Sequence, residues 1–313
     1  MKKMLSACLL AISLCVVVSP AARAQTTDSL LIINPGISPS VAPYRHLDLA
    51  LYNQLNTEKS EFRLDTINLT RRYTAVYHTL QIGYGVDRTN RLNLGGAFVF
   101  AHTRTDAQAG RSPFAVFGSA DADAVAYHQP AALGLYARGI PLRRLPELTV
   151  QVGAFFPIAA DKVARAASGY DRTLTQLQLA FYQQFSPVFY VFAAAEADVL
   201  WSNATRRQTS VSLPVHVYPV LRLGYDGKVC LFGDLGYSGQ FNKVSPGFLK
   251  RTGQRVLLGL GGQYYIQPAF SLYLFGQVPP VLQTESATTT LLKKGTFTLS
   301  LGARWVWGAG VKA

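Results

Sequence analysis

Twelve stretches of the chain alternate apolar and polar residues with a period of two, and the last is the clearest. From Thr296 to Trp307, Phe297, Leu299, Leu301, Ala303 and Trp305 alternate with Thr296, Thr298, Ser300, Gly302 and Arg304. Successive side chains of a strand point to opposite faces, so one face is greasy and the other polar, a pattern no helix produces. The greasy face ends in Trp305 and Trp307, whose amphipathic rings favour a membrane–water interface, while Arg304 shares its face with glycine and hydroxyls. Lipid fits one face and water the other. Such a strand is stable in a bilayer only where neighbours in a closed sheet take all its backbone hydrogen bonds.

Eleven partners precede it. Leu47, Leu49 and Leu51 alternate with Asp48, Ala50 and Tyr52, and comparable runs follow at Val76–Val86, Leu92–His102, Ala131–Ile140, Leu148–Phe156, Thr173–Phe185, Val188–Trp201, Val211–Leu223, Val229–Ser238, Val256–Tyr264 and Phe270–Val278. The connections alternate too. Those after odd-numbered strands are long and polar, such as Asn53–Tyr73, Thr103–Pro130, Asp161–Arg172 and Gly239–Gln254; those after even-numbered strands are short, such as Asp87–Asn90, Ser186-Pro187 and Asp226-Gly227. Pro214 and Pro219 remove ladder donors from the eighth strand, which predicts a bulge or a bend there. The fold class expected is all-β: a transmembrane antiparallel up-and-down barrel of about twelve strands over residues 44–307, with both termini periplasmic. A soluble sandwich or barrel also alternates, but its buried face would be the greasy one. Here the second face collects Gly, Gln, Tyr and charges.

Composition fits this. The chain is 49% hydrophobic and only 15% charged, yet has no long apolar run beyond its N-terminus, so its hydrophobicity is spread over every second residue. Lys2 and Lys3, the apolar run Leu5–Val18 and Ala22-Arg23-Ala24 read as a secretory signal peptide over residues 1–24, followed by a short periplasmic lead-in at 25–43. The apolar run is too short for a spanning helix, and Leu14 stands before Cys15 where a lipidation site expects a small residue. Cys8 and Cys15 would leave with the signal, and Cys230 alone offers no intrachain disulfide. Without Lys2, Lys3 and Arg23, 27 basic residues face 17 acidic ones, a formal +10. Such a charge can mean nucleic acid, but here strand alternation places the aromatics, so no nucleic-acid partner is expected.

The signal peptide, the architecture and the aromatic strand ends resemble those of the outer-membrane β-barrel proteins of Gram-negative bacteria, over Tyr44–Trp307. The resemblance implies an outer-membrane location, contact with outer-membrane lipid including lipopolysaccharide, and a porin- or channel-like role. Many such barrels finish on a terminal aromatic residue used in assembly; this chain continues past Trp307 with a tail at 308–313.

For chemistry, no metal-ligand cluster, phosphate-cradling loop or Gly-x-Ser-x-Gly elbow is present, and no cofactor is expected. Lipase-like barrels share a His-x-Ser pair, and none of His46, His78, His102, His128 or His216 is followed two residues on by serine. His78 and His102 on the greasy face keep a lipid-modifying alternative open. The inward set is more informative: Asp48, Arg138, Tyr190, Glu196, Asp198, His216, Arg222, Asp234 and Arg304 are the candidate pore-lining or selectivity residues. A hairpin centred near Arg206 would set Glu196 opposite His216 and Tyr190 opposite Arg222. Tyr84, Trp201, Tyr225, Tyr237, Tyr264, Trp305 and Trp307 are the candidate interfacial aromatics.

Basic residues crowd the expected external loops at Arg71, Arg72, Arg111, Lys162, Arg165, Arg206, Arg207, Lys250, Arg251, Lys293 and Lys294, where lipid phosphate is the favoured contact. Loop Thr103–Pro130, with Phe114, Val116, Phe117 and Tyr127, is expected to fold into the mouth as a plug. The function expected is passive passage of small solutes. The rival is a closed barrel with a structural or surface-interaction role, filled by the inward Tyr77, Tyr136, Tyr182, Tyr190, Phe192, Tyr218 and Tyr273.

Overall fold

The computed structural model describes residues 41–64, 67–107, 110–203, 208–224, 227–245, 248–284 and 290–308. The expected signal peptide, most of the lead-in, Arg206, Arg207, Tyr225, Asp226 and nearly all of the C-terminal tail lie outside these, as do the side chains of Lys293 and Lys294. Twelve strands run β1 (Leu47–Leu64), β2 (Ile67–Gly85), β3 (Leu92–Asp106), β4 (Ala124–Gly139), β5 (Leu148–Pro157), β6 (Leu174–Gln184), β7 (Phe189–Leu200), β8 (Ser210–Leu223), β9 (Val229–Ser245), β10 (Phe248–Gln267), β11 (Phe270–Thr284) and β12 (Thr290–Trp307). Each pairs antiparallel with the next, and β12 pairs with β1 from Leu47↔Trp307 to Arg63↔Thr290, closing the barrel. Closure leaves no edge strand, which a bilayer requires.

The faces divide as alternation predicts. Leu51, Leu135, Leu260 and Trp307 stand outward, 45%, 67%, 72% and 66% exposed, while the most buried large side chains are Tyr218, Phe192, Phe232, Gln178 and Gln263. Aliphatic side chains outside, with amides and charges among the rings inside, depart from the pattern of a soluble core. Among the described residues no helix is long and apolar enough to cross a membrane.

Several strands are longer than expected. Asn53–Tyr73 is not a loop: β1 and β2 stay paired out to Leu64↔Ile67. The same extension takes up part of the expected loops at 103–130, 239–254 and 279–294, and it places Arg71, Arg72, Lys250 and Arg251 on strands. Beyond Leu51 the outer face of β1 reads Asn53, Leu55, Thr57 and Lys59, so the hydropathy signal fades while the ladder continues. β8 has no bulge either: its pairing with β7 keeps one register on both sides of Pro214, and its pairing with β9 keeps one on both sides of Pro219. The register shift between β3 and β4 falls instead after Val99↔Ala132, where Phe100 pairs with Pro130 and Ala131 is the extra residue.

Candidate functional site

Both termini of the barrel leave from one rim, here the terminal rim; the long hairpins rise to the other, the loop rim. Near the terminal rim the lumen is packed. Tyr52, Tyr190, Phe192, Tyr218, Phe232, Tyr265, Tyr273 and Phe275 all face inward and form one buried cluster. Three of these rings, those of Tyr273, Phe232 and Phe275, and that of Tyr136 beside them, lie against a glycine on the neighbouring strand. A Cβ on Gly302 would collide with the Tyr273 ring, and one on Gly95 with the Tyr136 ring. Only glycine admits so close an approach. Phe232 and Phe275, which lie over Gly261 and Gly259, stack 5.8 Å apart.

One pair of charges in this half is neutralised by direct contact, and a second arginine is held by a neutral amide. Arg304 grips Asp48 with two hydrogen bonds, Nε to Oδ1 at 2.7 Å and Nη2 to Oδ2 at 2.5 Å, and Arg138 Nε donates to Gln151 Oε1 at 2.7 Å. Arg222 lies at the same rim with its Nε buried and unbonded, its stem against Gly227. Cys230 is buried and takes a weak hydrogen bond from the Tyr190 hydroxyl.

Towards the loop rim the lumen changes character. Gln178 donates to Glu196 at 2.6 Å, and Gln176 donates to both Glu196 and Asp198. His216 bonds Asp234 at 2.9 Å and stacks on Tyr218, and Gln277 reaches Asp234 from two strands away, past Gly259. Asp198 pairs across the ladder with Ser212, whose hydroxyl lies 3.4 Å from that of Ser238, and Ser238 pairs with Arg255. Glu196, Asp198, Ser212 and Arg255 are partly exposed to the lumen. Glu196 and Asp198 thus sit two residues apart, supported only by amide donors, a costly arrangement for a wall that needed nothing but stiffness.

Helix α1 (Lys162–Ser168), in the loop between β5 and β6, enters the mouth above this chamber. Asp161 caps its N-terminus and Gly169 ends it in the left-handed conformation at φ 76°. The Tyr73 hydroxyl donates to Ala167 O at 2.6 Å and that of Tyr77 to Ser168 O at 3.0 Å, fastening the helix to the inner wall of β2. Tyr170 then packs on inward Val99, Ala101, Ala131 and Ala132. Burial, and secondarily the charge of Asp198, push its hydroxyl up to about 12.

The expected plug behaves differently. The 3-10 helix Pro113–Phe117 lies on the outside of the wall, Val116 packing on outward Leu55, Val76 and Leu299 and Phe117 on the outward His78 and His102. Arg104, also outward, fixes it by donating to Ala115 O and Ser119 O and by pairing with Asp106 and Asp121. His102 and His128 share a 2.7 Å contact beneath it, and His78 bonds Asn53. These histidines help seat the loop.

No family model matches the chain, and no curated protein matches it. Among solved structures, an outer membrane channel from Pseudomonas putida F1 is similar at TM-score 0.58 and 13% identity, over 91% of this chain and all of that one. The chain has the fold of a bacterial outer-membrane β-barrel. A monoaromatic hydrocarbon channel, CymD, follows at TM-score 0.42 and 12% identity over 88% and 91% of the two chains, and the β domain of the Bordetella autotransporter BrkA at 0.43 and 12% over 82% and 100%.

All nine expected lumenal residues of this outer-membrane barrel point inward, but they divide between two levels. Asp48, Arg138, Tyr190, Arg222 and Arg304 belong to the packed half; Glu196, Asp198, His216 and Asp234 line the chamber. The expected hairpin register is corrected: His216 pairs with Ala194 and Tyr190 with Val220. The turn centres one residue earlier than Arg206, which moves every pairing by two. Of the interfacial aromatics, Tyr84, Tyr264, Trp305 and Trp307 stand outward near the terminal rim and Trp201 near the loop rim. Tyr237 is the ninth residue of β9, about where a strand of roughly 9–11 residues has crossed the hydrocarbon. Sequence reasoning missed Arg255, the two serines and α1, although Asp161 and Gly169 bracket a legible short helix.

Proposed function

We propose that the protein is an outer-membrane channel for small polar solutes, entered from the loop rim and held closed in this conformation by its packed aromatic layer. In this reading both termini are periplasmic and the loop rim faces the exterior, next to surface lipid. One observation carries it: in the loop half of the lumen Glu196 and Asp198 remain partly exposed, with no contacting cation among the described residues. Polar solutes meet there the groups that a bilayer denies them. The outer wall is apolar, so passage runs through the barrel.

The packed half supports a second reading, a permanently closed barrel with a structural role, because inward rings such as Tyr218 and Phe232 are at most 1% exposed. Proteoliposome swelling with graded sugars and amino acids separates the two. The channel reading expects uptake by the wild type, raised in Phe192→Ala/Tyr218→Ala. Liposomes that stay impermeable with both proteins would establish the closed barrel.

A further inference from the structure

Asp198 and Arg255 face the same chamber and act on each other electrostatically, yet no ion pair joins them among the described residues. The ladder explains why. Asp198 pairs with Ser212 on β8 and Arg255 with Ser238 on β9, so two small hydroxyl side chains lie between the acid and the base. The Arg255 Nε is buried without a hydrogen-bond partner. On the other flank Glu196 and Asp198 take hydrogen bonds only from Gln176 and Gln178. Asp234, the third carboxylate of the chamber, is bonded by His216 and Gln277 instead. Tyr170 closes the recess from the α1 side, near enough to feel the charge of Asp198.

Opposite charges held apart over a floor of hydroxyls match a molecule carrying both signs. We infer that this recess is a subsite for a small zwitterion, its ammonium between Glu196 and Asp198 and its carboxylate on the Arg255 guanidinium. The inference deepens the channel reading and rests on it for its physiological meaning. Each end would gain a partner of opposite charge: the carboxylates a cationic donor, and the guanidinium a planar acceptor it can grip with two parallel bonds. A plain amine satisfies one end only, and so does a plain carboxylate.

The test is calorimetric titration of the full-length protein in detergent with amino acids of increasing span, from glycine to 6-aminohexanoate, against alkylamines and carboxylates of the same length. One amino acid of matching span is expected to bind about tenfold or more tightly than either half-molecule, a difference of about 1.4 kcal/mol or more. Arg255→Gln should reduce its affinity to that of the amine, and Glu196→Gln/Asp198→Asn to that of the carboxylate, with unchanged heat-modifiable migration showing that the barrels are folded. An amine as tight as every amino acid, indifferent to Arg255→Gln, would overturn the inference, as would no binding at all. The two proposals fail separately. Zwitterion binding without liposome swelling defeats the channel and leaves the subsite; swelling without binding defeats the subsite and leaves the channel.

Discussion

Asp48 and Arg304 face the lumen near the terminal rim; Asp198 and Arg255 face it near the loop rim. Both are an acid and an arginine on one inner wall, yet the first pair is locked in a two-pronged contact with both side chains under a tenth exposed, and the second pair is kept apart. Around the first pair the wall carries large rings over inward glycines; between the members of the second it carries serines. The difference is one of residue size. Rings fill the cylinder around Asp48 and Arg304 and leave the two charges each other as partners, because burying either one alone would be costly. Small hydroxyl residues leave room for water, and water lets charges stay apart. The terminal half is therefore built for stability, and in the proposed channel the loop half is where a solute would find polar contacts.

The largest expected effect follows directly. Arg304→Met strands the Asp48 carboxylate in the packed half and should cost about 3–5 kcal/mol, the range for removing one partner of a buried pair. Glu196→Gln or Asp198→Asn removes a carboxylate that has no contacting cation and should leave stability unchanged or slightly raised. Urea unfolding in detergent, followed by tryptophan fluorescence, measures both. Equal losses at the two levels would erase the distinction.

A smaller contrast concerns glycine. Gly302→Ala places a methyl group within the Tyr273 ring contact and should destabilise by about 1–3 kcal/mol through overpacking. On the same strand, Gly295 has nothing within 4 Å of an added Cβ, so Gly295→Ala should be neutral in the same unfolding experiment. If both are neutral, the rings do not depend on their glycines and the packed half is looser than described.

These contrasts also mark what was legible beforehand. Face assignment was legible, because each crossing leaves one apolar side of three to seven residues, Leu47 to Leu51 or Phe189 to Trp201. Strand length was not, since from Asn56 to Glu61 both faces of β1 are polar and the ladder goes on without a hydropathy signal. Inward charges were legible as charges, but their partners were not. Gln277 reaches Asp234 across a whole strand, both residues pairing with Gly259 between them, and no local pattern encodes that. The exchange of plug for strap has the same origin: Val116 and Phe117 are as greasy as a lumenal plug would need, yet the surface that matches them is Leu55, Val76 and Leu299 on the outside.

The two loops sharpen the comparison on a finer scale. Tyr73→Phe and Tyr77→Phe each remove one hydrogen bond from α1, at about 0.5–1.5 kcal/mol apiece. Together they should speed amide exchange in residues 162–170 and raise single-channel conductance, with global unfolding little changed. Conductance identical to wild type would mean that α1 does not obstruct the mouth.

The outer strap should respond to acid and leave conductance alone. Partial desolvation raises the Asp121 carboxyl, but hydrogen bonds from Arg111 and Arg104 outweigh it and hold the group below the ordinary carboxylate value. A folded-state value below the unfolded one contributes stability that is present above the ordinary carboxylate range and is lost as pH falls through the folded value. Residues 110–123 should therefore become susceptible to an acid protease as pH drops from about 4 towards 2, within the range where carboxylates protonate. Asp121→Asn should reproduce that susceptibility at higher pH. Because Val116 and Phe117 grip the outside of the wall, neither acid release nor Asp121→Asn should open the lumen. A conductance rise that tracks the proteolysis would put this loop in the mouth after all and transfer to it the role assigned to α1.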